Sequence, residues 1–342
     1  MALSTHLHPD VPPHAPIYAA VELGSDSFRL IVASVEHDAV HILATLNEPI
    51  RLGAAIGANG CLGPESRRRA LACLRDFRTS LAPWEPRAVR VVATAALRVA
   101  CDTPAFLPAA VAALGHPIEV ISGEEEGRLV YLGVAGALGT PAPIPAPGAP
   151  GERRLVLDVG SGSTEVAVGC GMHVELVQSF GVGALRQGLA FFGDGISPGA
   201  FEAALASSRS RVADAGALAG RHGWARAYGA SGTLRALAEL AGQSVLSVDA
   251  LQALRRALVD DGELARAAQA WTQPGRAVQL AGGLALLLAL VEELGVRELV
   301  PVQAGLRAGV IRDLHRRALE ELGKKAGAKM VPQACAPYRE CV

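Results

Sequence analysis

Three short and mainly apolar runs near the start of the chain, at residues 17–23, 28–35 and 41–46, are rich in residues that favour β-strands, and the polar segment GSDS separates the first two. These runs predict a strand-turn-strand opening followed by a third strand. Apolar residues then recur at helical spacing over 64–81, 104–114 and 124–138, separated by strand-like runs at 88–93 and 118–121. This alternation predicts an α/β fold.

The opening pattern returns in the second half of the chain. Strand-like runs at 155–159, 165–168 and 173–179 repeat the order strand, acidic residue, glycine-containing loop, strand, as in YAAVELGSDSFRLIVASV and RLVLDVGSGSTEVAVGCG. We interpret this repeat as the duplication of one folding unit. The remainder predicts helices over 199–222, 233–239, 248–268 and 280–294, and short strands at 225–228 and 298–302.

These elements predict two domains, which also suits a length of 342 residues. Residues 1–16 are expected to form a disordered arm, 17–138 the first domain and 154–305 the second. Residues 139–153 contain five prolines, which exclude a helix or central strand and predict a linker. A helix over 306–322 is expected to pack back on the first domain, and 323–342 to form a tail.

Composition narrows the functional class. The chain has 32 basic and 33 acidic residues and a net charge of −1, which excludes a broadly basic surface for nucleic acid. Six cysteines without a C-x-x-C pair indicate neither a disulfide framework nor a zinc site and favour a reducing compartment. No signal peptide is recognisable, and the apolar run 280–291 is shorter than the roughly 20 residues of a membrane span. We therefore expect a soluble, cytoplasmic protein that binds neither nucleic acid nor membrane.

Two loops are candidate phosphate sites, since each follows an acidic residue at the end of a strand, Glu22 or Asp158. Glycines and hydroxyl residues let backbone N–H groups approach phosphate oxygens, although a single such loop is most often only a hairpin. Two equivalent loops in duplicated halves favour phosphate binding. The candidate residues are Gly24, Ser25, Asp26 and Ser27 in the first loop and Gly160, Ser161, Gly162, Ser163 and Thr164 in the second.

A third glycine-rich turn leads from a strand into the helix predicted near Thr233. The first N–H groups of a helix are unpaired and attract anions, while capping of the helix by Ser231 or Thr233 is the alternative. Both roles are compatible. The candidate substrate-binding residues in this turn are Gly229, Ser231 and Gly232.

Further acidic residues complete the candidate chemistry. Glu165 follows Asp158 by seven residues on the returning strand, so the two carboxylates are expected to share one end of a cleft, as suits Mg²⁺. An exposed strand acid is the alternative for Glu165. In ISGEEEGRLVYLGVA, three glutamates at a helix start either complement the helix dipole or include a general base. Arg98 follows a strand and a run of small residues, where a lone arginine is ordinarily a surface side chain.

Together these segments resemble the exopolyphosphatase / guanosine pentaphosphate phosphohydrolase family, a branch of the actin, sugar kinase and heat-shock ATPase superfamily. The resemblance implies two ribonuclease-H-like (actin-like ATPase) domains, each a mixed sheet flanked by helices, with a cleft between them. The segments keep family order from residue 17 to about 312: AAVELGSDSFRLIVA, VVATAALRVA, IEVISGEEEGRLVYLGVA, LVLDVGSGSTEVAVG, SFGVGALR, YGASGTLRAL and LAGGLALLLALVEELGVRELVPVQAGLRAGVI.

The resemblance also implies an activity, the hydrolysis of terminal phosphate from inorganic polyphosphate with Mg²⁺ or Mn²⁺, with guanosine pentaphosphate as a possible second substrate, by a homodimer. Glu126 aligns with the catalytic base of the family and Arg98 with its phosphate-binding arginine. Asp158 and Glu165 align with the metal and water-positioning carboxylates, and Glu22 is expected to join them.

Four positions depart from the family pattern. Glu22 and Asp26 stand where aspartate and asparagine are usual, Ser161 where glycine is usual, and Gln303 where an acid is usual. The added carboxylate of Asp26 would repel phosphate. These changes support a second hypothesis, a regulatory protein that senses polyphosphate or nucleotide without hydrolysing it. A third, a sugar or acetate kinase, is weaker because the EEEG segment argues against it.

Overall fold

The computed structural model describes residues 4–5, 15–37, 39–139, 153–219, 223–259 and 275–328. The first domain contains a six-stranded sheet in the order β1-β4-β3-β2-β5-β6, with four helices. Pro64 and Pro104 lie in the first turns of two of these helices, where a missing N–H group breaks no helical hydrogen bond. The elements are β1 (Ser4–Thr5), β2 (Ile17–Leu23), β3 (Phe28–Glu36), β4 (Ala39–Glu48), α1 (Pro64–Leu81), β5 (Ala88–Ala93), α2 (Ala95–Val99), α3 (Thr103–Leu114), β6 (Ile118–Val120) and α4 (Gly123–Leu138).

The second domain contains another six-stranded sheet, in the order β11-β12-β10-β7-β8-β9. Its helices precede a last helix that returns to the first domain. The elements are β7 (Arg153–Val159), β8 (Thr164–Cys170), β9 (His173–Phe180), α5 (Ala184–Phe191), α6 (Pro198–Val212), α7 (Ala215–Ala219), β10 (Arg226–Gly229), α8 (Gly232–Ala241), β11 (Leu246–Ser247), α9 (Val248–Val259), α10 (Arg276–Leu294), β12 (Glu298–Pro301) and α11 (Leu306–Ala328).

The two sheets share one topology. The order β4-β3-β2-β5-β6 in the first domain corresponds to β9-β8-β7-β10-β12 in the second. In the first domain, β2, β3 and β4 pair antiparallel, and β2 pairs parallel with β5. In the second domain, β7, β8 and β9 pair antiparallel, and β7 pairs parallel with β10. The predicted α/β fold of two ribonuclease-H-like domains is therefore confirmed, and the shared strand order explains why the two halves of the sequence begin alike.

Both faces of each sheet are buried, so the sheets alternate with layers of helices. In β2, Ala19 and Val21 face a core closed by α1 and α3, whereas Tyr18 and Ala20 face a central core that also contains Val156 of β7. Because successive side chains of a strand point to opposite faces, Glu22 lies on the same face as Ala20 and Asp158 on the same face as Val156. The two acids therefore end their strands on the faces that look toward the other domain.

Helices α4 and α11 fill the central layer. They approach closely because glycines lie where they cross: a methyl group on Gly133 would overlap the Gly305 carbonyl, and one on Gly309 would overlap the Leu129 carbonyl. Helix α11 also contacts β2, β3 and β5 of the first sheet. The last helix of the chain thus covers the inner face of the first domain.

A buried ion-pair network fixes α11 in this position. Asp313 on α11 is fully buried and lies 3.0 Å from Arg90 of β5 and 3.2 Å from Arg128 of α4. Arg90 and Arg128 also pair with Glu125 in the first turn of α4, at 3.0 and 2.6 Å. Glu125, the second of the three glutamates in EEEG, therefore belongs to this network.

Helix α10 is apolar on nearly every side because it lies in the core of the second domain. Among the described residues it is the one helix whose length and hydropathy match a membrane span, and 78% of its apolar window is buried in the protein. Burial in the domain core accounts for its composition.

Several predicted boundaries differ from the structure. Ser4–Thr5, placed in a disordered arm by the sequence, pair with Thr45 and Ala44 as an edge strand. Residues 198–219 form two helices, and the last helix continues to Ala328 through the start of the predicted tail. The short helix α2 and the strand β11 were not predicted, since a few residues carry too little periodicity. The proline-rich 140–152, and 260–268 of the helix predicted over 248–268, lie outside the described residues.

Cys61 and Cys101 form a disulfide, with Cα atoms 5.3 Å apart and a sequence separation of 40. It joins the loop before α1 to the short segment between α2 and α3. The prediction that cysteine spacing indicates no disulfide is wrong for this pair, because a contact over this distance depends on tertiary structure. Among the described cysteines, Cys73 and Cys170 are free, and burial raises the pKa of the Cys73 thiol to about 12.

Candidate active site

The two candidate phosphate loops face each other across the cleft between the domains. The first loop lies between β2 and β3, and the second between β7 and β8. Gly162 of the second loop approaches so closely that a methyl group on it would lie 2.6 Å from Ser25 Oγ and 2.8 Å from Ala95 Cβ. Any larger residue at position 162 would push the loops apart. A ligand in the cleft can therefore contact both loops at once.

Each loop is anchored through its carbonyl groups. The Ser25 carbonyl accepts a hydrogen bond from Gly53 N at 2.7 Å, and the Gly160 carbonyl accepts one from Ala184 N at 2.8 Å. The Ser161 carbonyl accepts from Leu185 N at 3.1 Å, at the start of α5. These hydrogen bonds to the carbonyl groups hold the loops in place. The amide groups of the loops can then donate hydrogen bonds to a bound anion.

Two cross-strand pairs flank the loops at equivalent positions. Asp158 lies opposite Glu165 in the β7–β8 ladder, and Glu22 lies opposite Arg29 in the β2–β3 ladder. Directly opposed residues project on the same face of a sheet, so Asp158 and Glu165 come together as the short loop between them predicts. The corresponding pair in the first domain combines a carboxylate with a guanidinium. At these positions the second domain therefore presents two carboxylates, whereas the first domain presents one carboxylate and one guanidinium group.

Arg98 and Glu126 meet although 28 residues separate them in sequence. Arg98 Nη1 donates to Glu126 Oε2 at 2.6 Å and to the Ile121 carbonyl at 3.1 Å, and Nη2 donates to Ser163 Oγ at 3.1 Å. Arg98 thus links the first turn of α4 to the second phosphate loop. Burial raises the pKa of Glu126 to about 7; Arg98 opposes this rise, while the charges of Asp158 and Glu22 add to it.

Glu165 is almost fully buried beside this pair. Its Oε1 accepts from Ser179 Oγ at 2.9 Å and lies 4.0 Å from Arg98 Nη2, whereas its Oε2 is buried without a hydrogen-bond partner. Burial, with the nearby charges of Glu126 and Asp158, raises the pKa of Glu165 well above its usual value. Burial and Glu22 likewise raise the pKa of Asp158 to about 6. These carboxylates repel one another, and the positive charge of Arg98 offsets this repulsion only in part.

Glycines in α4 bring Glu126 to this cluster. A methyl group on Gly127 would overlap the Val177 side chain and crowd Glu165, and one on Gly123 would overlap Ser179. The first turn of α4 therefore packs directly on β8 and β9. Ser122 caps the helix, its side chain accepting from Glu125 N. In EEEG, Glu124 is exposed, Glu125 joins the ion-pair network, and Glu126 alone lines the cavity.

A cavity of about 430 Å³ occupies the cleft and brings most of the predicted residues together. A protein-family model for the Ppx/GppA phosphatase family matches residues 30–318. The chain belongs to the Ppx/GppA phosphatase family. The predicted residues that line its cavity are Glu22, Gly24, Ser25, Asp26, Ser27, Glu126, Asp158, Gly160, Ser161, Gly162, Ser163, Ser231 and Gly232.

Solved structures related to the Ppx/GppA family are similar to this chain over nearly their whole length. An exopolyphosphatase-like protein is 25% identical with a TM-score of 0.76, over 89% of this chain and 99% of that chain. An exopolyphosphatase from Cytophaga hutchinsonii is 21% identical with a TM-score of 0.76, over 87% and 97%. The Ppx/GppA family member of Aquifex aeolicus is 23% identical with a TM-score of 0.71, over 90% and 98%. The last two likenesses show the shared fold.

Two predicted substrate-binding residues of this Ppx/GppA protein have other roles. Thr164 is fully buried and donates to the Val182 carbonyl at 2.7 Å, so it holds the start of β8. Gly229 lies in β10, where a methyl group would come within 2.8 Å of Leu234 Cδ1. Neither lines the cavity, so we remove both from the substrate-binding set. Arg98 and Glu165 do not line the cavity either, but they contact its lining or a strand beside it through Glu126, Ser163 and Ser179. Ser231 caps α8 by accepting from Leu234 N at 3.0 Å and also lines the cavity, so the two readings of this residue are compatible.

Five arginines line the cavity of this Ppx/GppA protein, and one of them, Arg312, donates to the Gly136 carbonyl at 2.8 Å. The sequence did not identify the other four, which belong to four different elements and form no short motif with one another. Burial lowers the pKa of Arg307 to about 10, although Arg307 Nε lies 3.4 Å from Glu22 Oε2. Burial and the nearby Arg29 also lower the pKa of Arg235. These four residues, Arg29, Arg235, Arg276 and Arg307, form a basic wall that lines the same cavity as the carboxylates, and two of them lie beside Glu22.

Proposed function

We propose that this protein is an exopolyphosphatase that hydrolyses the terminal phosphate of inorganic polyphosphate with the help of Mg²⁺, and that guanosine pentaphosphate is a second substrate. The observation that carries the proposal is Glu126, a buried carboxyl with a pKa of about 7, held by Arg98 in a cavity between two phosphate loops. Membership of a phosphatase family supports the same reaction class. The cytoplasmic location and the homodimer stay predictions from the sequence.

Glu126 is suited to act as the general base. A carboxylate whose pKa is near the working pH accepts a proton from water more effectively than an ordinary glutamate does. In the proposed reaction, Glu126 Oε2 accepts a proton from a water molecule. The oxygen of that water attacks the terminal phosphorus, the bond from this phosphorus to the bridging oxygen breaks, and the shortened polyphosphate leaves. Arg98 donates to both Glu126 and Ser163 and so holds the base beside the second phosphate loop, although Arg98 itself does not line the cavity.

The remaining phosphates of the chain would be held by both domains. The two loops offer backbone amides and serine hydroxyls, and Arg29, Arg235, Arg276 and Arg307 form the basic wall. Guanidinium groups bind phosphate oxygens through paired hydrogen bonds and remain charged under all physiological conditions. This local concentration of donors explains how a chain with a net charge of −1 can bind a polyanion.

The carboxylates of the cleft fit a divalent cation that keeps part of its water shell. Glu165 Oε2 is buried without a partner, and the mutual repulsion of Glu165, Asp158 and Glu126 would be relieved by a cation. Among the described residues, one group of three or more His, Cys, Asp or Glu side chains has all its ligand atoms within 4.8 Å of one another, and it consists of Cys61, Cys101 and Asp102. Glu22, Asp158 and Glu165 therefore do not form a closed cage for a metal ion. Mg²⁺ typically binds one or two carboxylates, waters and substrate phosphates, and Mn²⁺ accepts the same oxygen donors. When bound, the ion would offset charge on the phosphate oxygens.

A phosphate-release assay tests the proposal. We expect release from long polyphosphate and tripolyphosphate that depends on Mg²⁺ and stops when the metal is chelated, with guanosine pentaphosphate assayed in parallel. Absence of release from all three substrates at saturating Mg²⁺ would refute the hydrolase assignment. ATP with a panel of sugar and acetate acceptors provides the kinase control, for which we expect no phosphoryl transfer.

The regulatory alternative rests on Asp26, whose carboxylate lines the cavity beside the phosphate loops. Two like charges a few ångströms apart at an effective dielectric of about 20 repel by a few kcal/mol before screening, so a modest penalty on substrate binding is expected. We predict that Asp26→Asn lowers KM for tripolyphosphate roughly 3- to 10-fold, whereas the same exchange at the exposed Asp194 changes nothing. Binding of tripolyphosphate without phosphate release, in both wild type and Asp26→Asn, would favour the sensor.

A further inference from the structure

The second phosphate loop receives a hydrogen bond from a helix outside the family motifs that carry the loop itself. Gln279 Nε2 on α10 donates to Ser161 Oγ at 3.1 Å, and both residues line the cavity. A serine hydroxyl has one proton to donate and two lone pairs to accept with. Because the amide of Gln279 is the donor, the hydroxyl proton of Ser161 stays available for a third group.

The close packing of α10 places Gln279 at this point. A methyl group on Gly282 would overlap the backbone of Ala184 and Gly188 in α5, and one on Gly283 would overlap the Thr233 side chain in α8. Residues three and four apart lie on one face of a helix, so Gln279 shares the face that contacts both segments. It is only 7% exposed. Helix α10 therefore backs both the Ser161 loop and the Ser231 turn.

We propose that Gln279 is a positioning residue that turns the Ser161 hydroxyl toward a phosphate oxygen of the substrate, which makes this hydroxyl an additional donor for the phosphoanhydride chain. The proposal rests on the proposed function, since it deepens the description of the same site. Ser161 stands where the family pattern has glycine. The hydrogen bond between its hydroxyl and the Gln279 amide therefore depends on this departure from the pattern. The Ser161 carbonyl is held separately by Leu185 N, and loss of the side-chain pair leaves that anchor in place.

Four variants separate this role from simple packing. Gln279→Met keeps the size of the side chain without a donor, Gln279→Glu can only accept, and Ser161→Gly removes the hydroxyl; the fourth variant combines Gln279→Met with Ser161→Gly. The exchange of the exposed Gln243 for methionine is the control. Each is assayed for kcat and KM with tripolyphosphate and Mg²⁺, for tripolyphosphate binding by calorimetry, and for thermal unfolding.

We expect Gln279→Met to lower kcat/KM about 10-fold, mainly through KM, because one hydrogen bond to a charged oxygen loses its orientation. Gln279→Glu should be more damaging, because its carboxylate binds the Ser161 proton and brings a negative charge to the substrate. In the Ser161→Gly background, Gln279→Met should change kcat/KM by less than about 2-fold, since contacting residues couple. The control should match the wild type.

The outcomes distinguish the inference from the function on which it rests. If the wild type releases phosphate and Gln279→Met has the same effect with and without Ser161, Gln279 acts by packing and the inference is overturned. If the wild type binds tripolyphosphate without releasing phosphate, the hydrolase proposal fails, while the binding constants of the four variants still decide the inference. If the wild type neither binds nor hydrolyses tripolyphosphate, both are overturned.

Discussion

Exchange of Glu126 for glutamine is expected to reduce phosphate release from polyphosphate by about 10²- to 10⁴-fold, the usual contribution of a positioned general base. The amide oxygen of glutamine can still accept the hydrogen bond from Arg98, which measures 2.6 Å in the wild type. The exchange therefore removes the proton acceptor and preserves the contact that places it. Initial rates at saturating polyphosphate and Mg²⁺ near pH 7 measure the effect.

The control for this experiment lies two residues away. Glu124 belongs to the same run of three glutamates and the same first turn of α4, but its side chain is exposed. Glu124→Gln should keep wild-type turnover, and both variants should unfold at the wild-type temperature. Equal loss of activity in the two variants would point to a general effect of charge on α4, and wild-type turnover in Glu126→Gln would remove Glu126 as the base.

The largest effect on stability is expected at Asp313. Its carboxylate is fully buried against Arg90 and Arg128 and also pairs with Arg316 at 2.9 Å and Arg317 at 2.7 Å on its own helix. Removing one member of a buried ion-pair network leaves uncompensated charge, so we expect Asp313→Ala to lower the free energy of unfolding by about 3 kcal/mol. Denaturant unfolding measures this loss.

The loss should depend on pH in a defined direction. Burial raises the pKa of Asp313, but hydrogen bonds and charges of Arg316, Arg128 and Arg317 outweigh burial and hold it below the usual value, which is about 3.9. A depressed pKa contributes stability above the unfolded-state pKa, and this contribution is lost as pH falls through the folded-state pKa. The difference between wild type and Asp313→Ala should therefore be constant near neutral pH and shrink below pH about 4.

An exposed ion pair on the same helix provides the comparison. Glu320 pairs with Arg316 one turn away at 2.5 Å, with both side chains about half exposed. Such surface pairs typically contribute less than about 1 kcal/mol, so Glu320→Ala should change the free energy of unfolding little. An equal loss in both variants would indicate that helix propensity of α11, and not the buried network, determines the effect.

Local pattern predicted the parts of the site that depend on local structure. Asp158 and Glu165 could be paired from the sequence because a short loop between two strands fixes which residues lie opposite each other. Both loops were located for the same reason. The union of Arg98 with Glu126 and Ser163 could not be derived in this way, because it depends on how α2, α4 and the second domain pack.

The residues that sequence reasoning misassigned are those whose role depends on depth in the fold. Gly229 and Thr164 belong to glycine-rich turns by sequence, but packing against Leu234 and a bond to a backbone carbonyl take them out of the cavity. Conversely, Arg235 resembles an ordinary helix-surface residue until α8 is placed at the cleft. The signal that could have indicated Arg29 and Arg235 is their closeness to a candidate phosphate loop or turn, since they follow Ser27 and Gly232 within three residues.

The position of α11 makes the two domains interdependent in folding. This helix is connected in sequence to the second domain, yet it covers the inner face of the first sheet and inserts Asp313 between Arg90 and Arg128. A fragment containing only the first half of the chain would expose this face to water, and in the complementary fragment Asp313 would lose its partners Arg90 and Arg128. Although duplicated in topology, the halves are thus expected to unfold in a single cooperative transition.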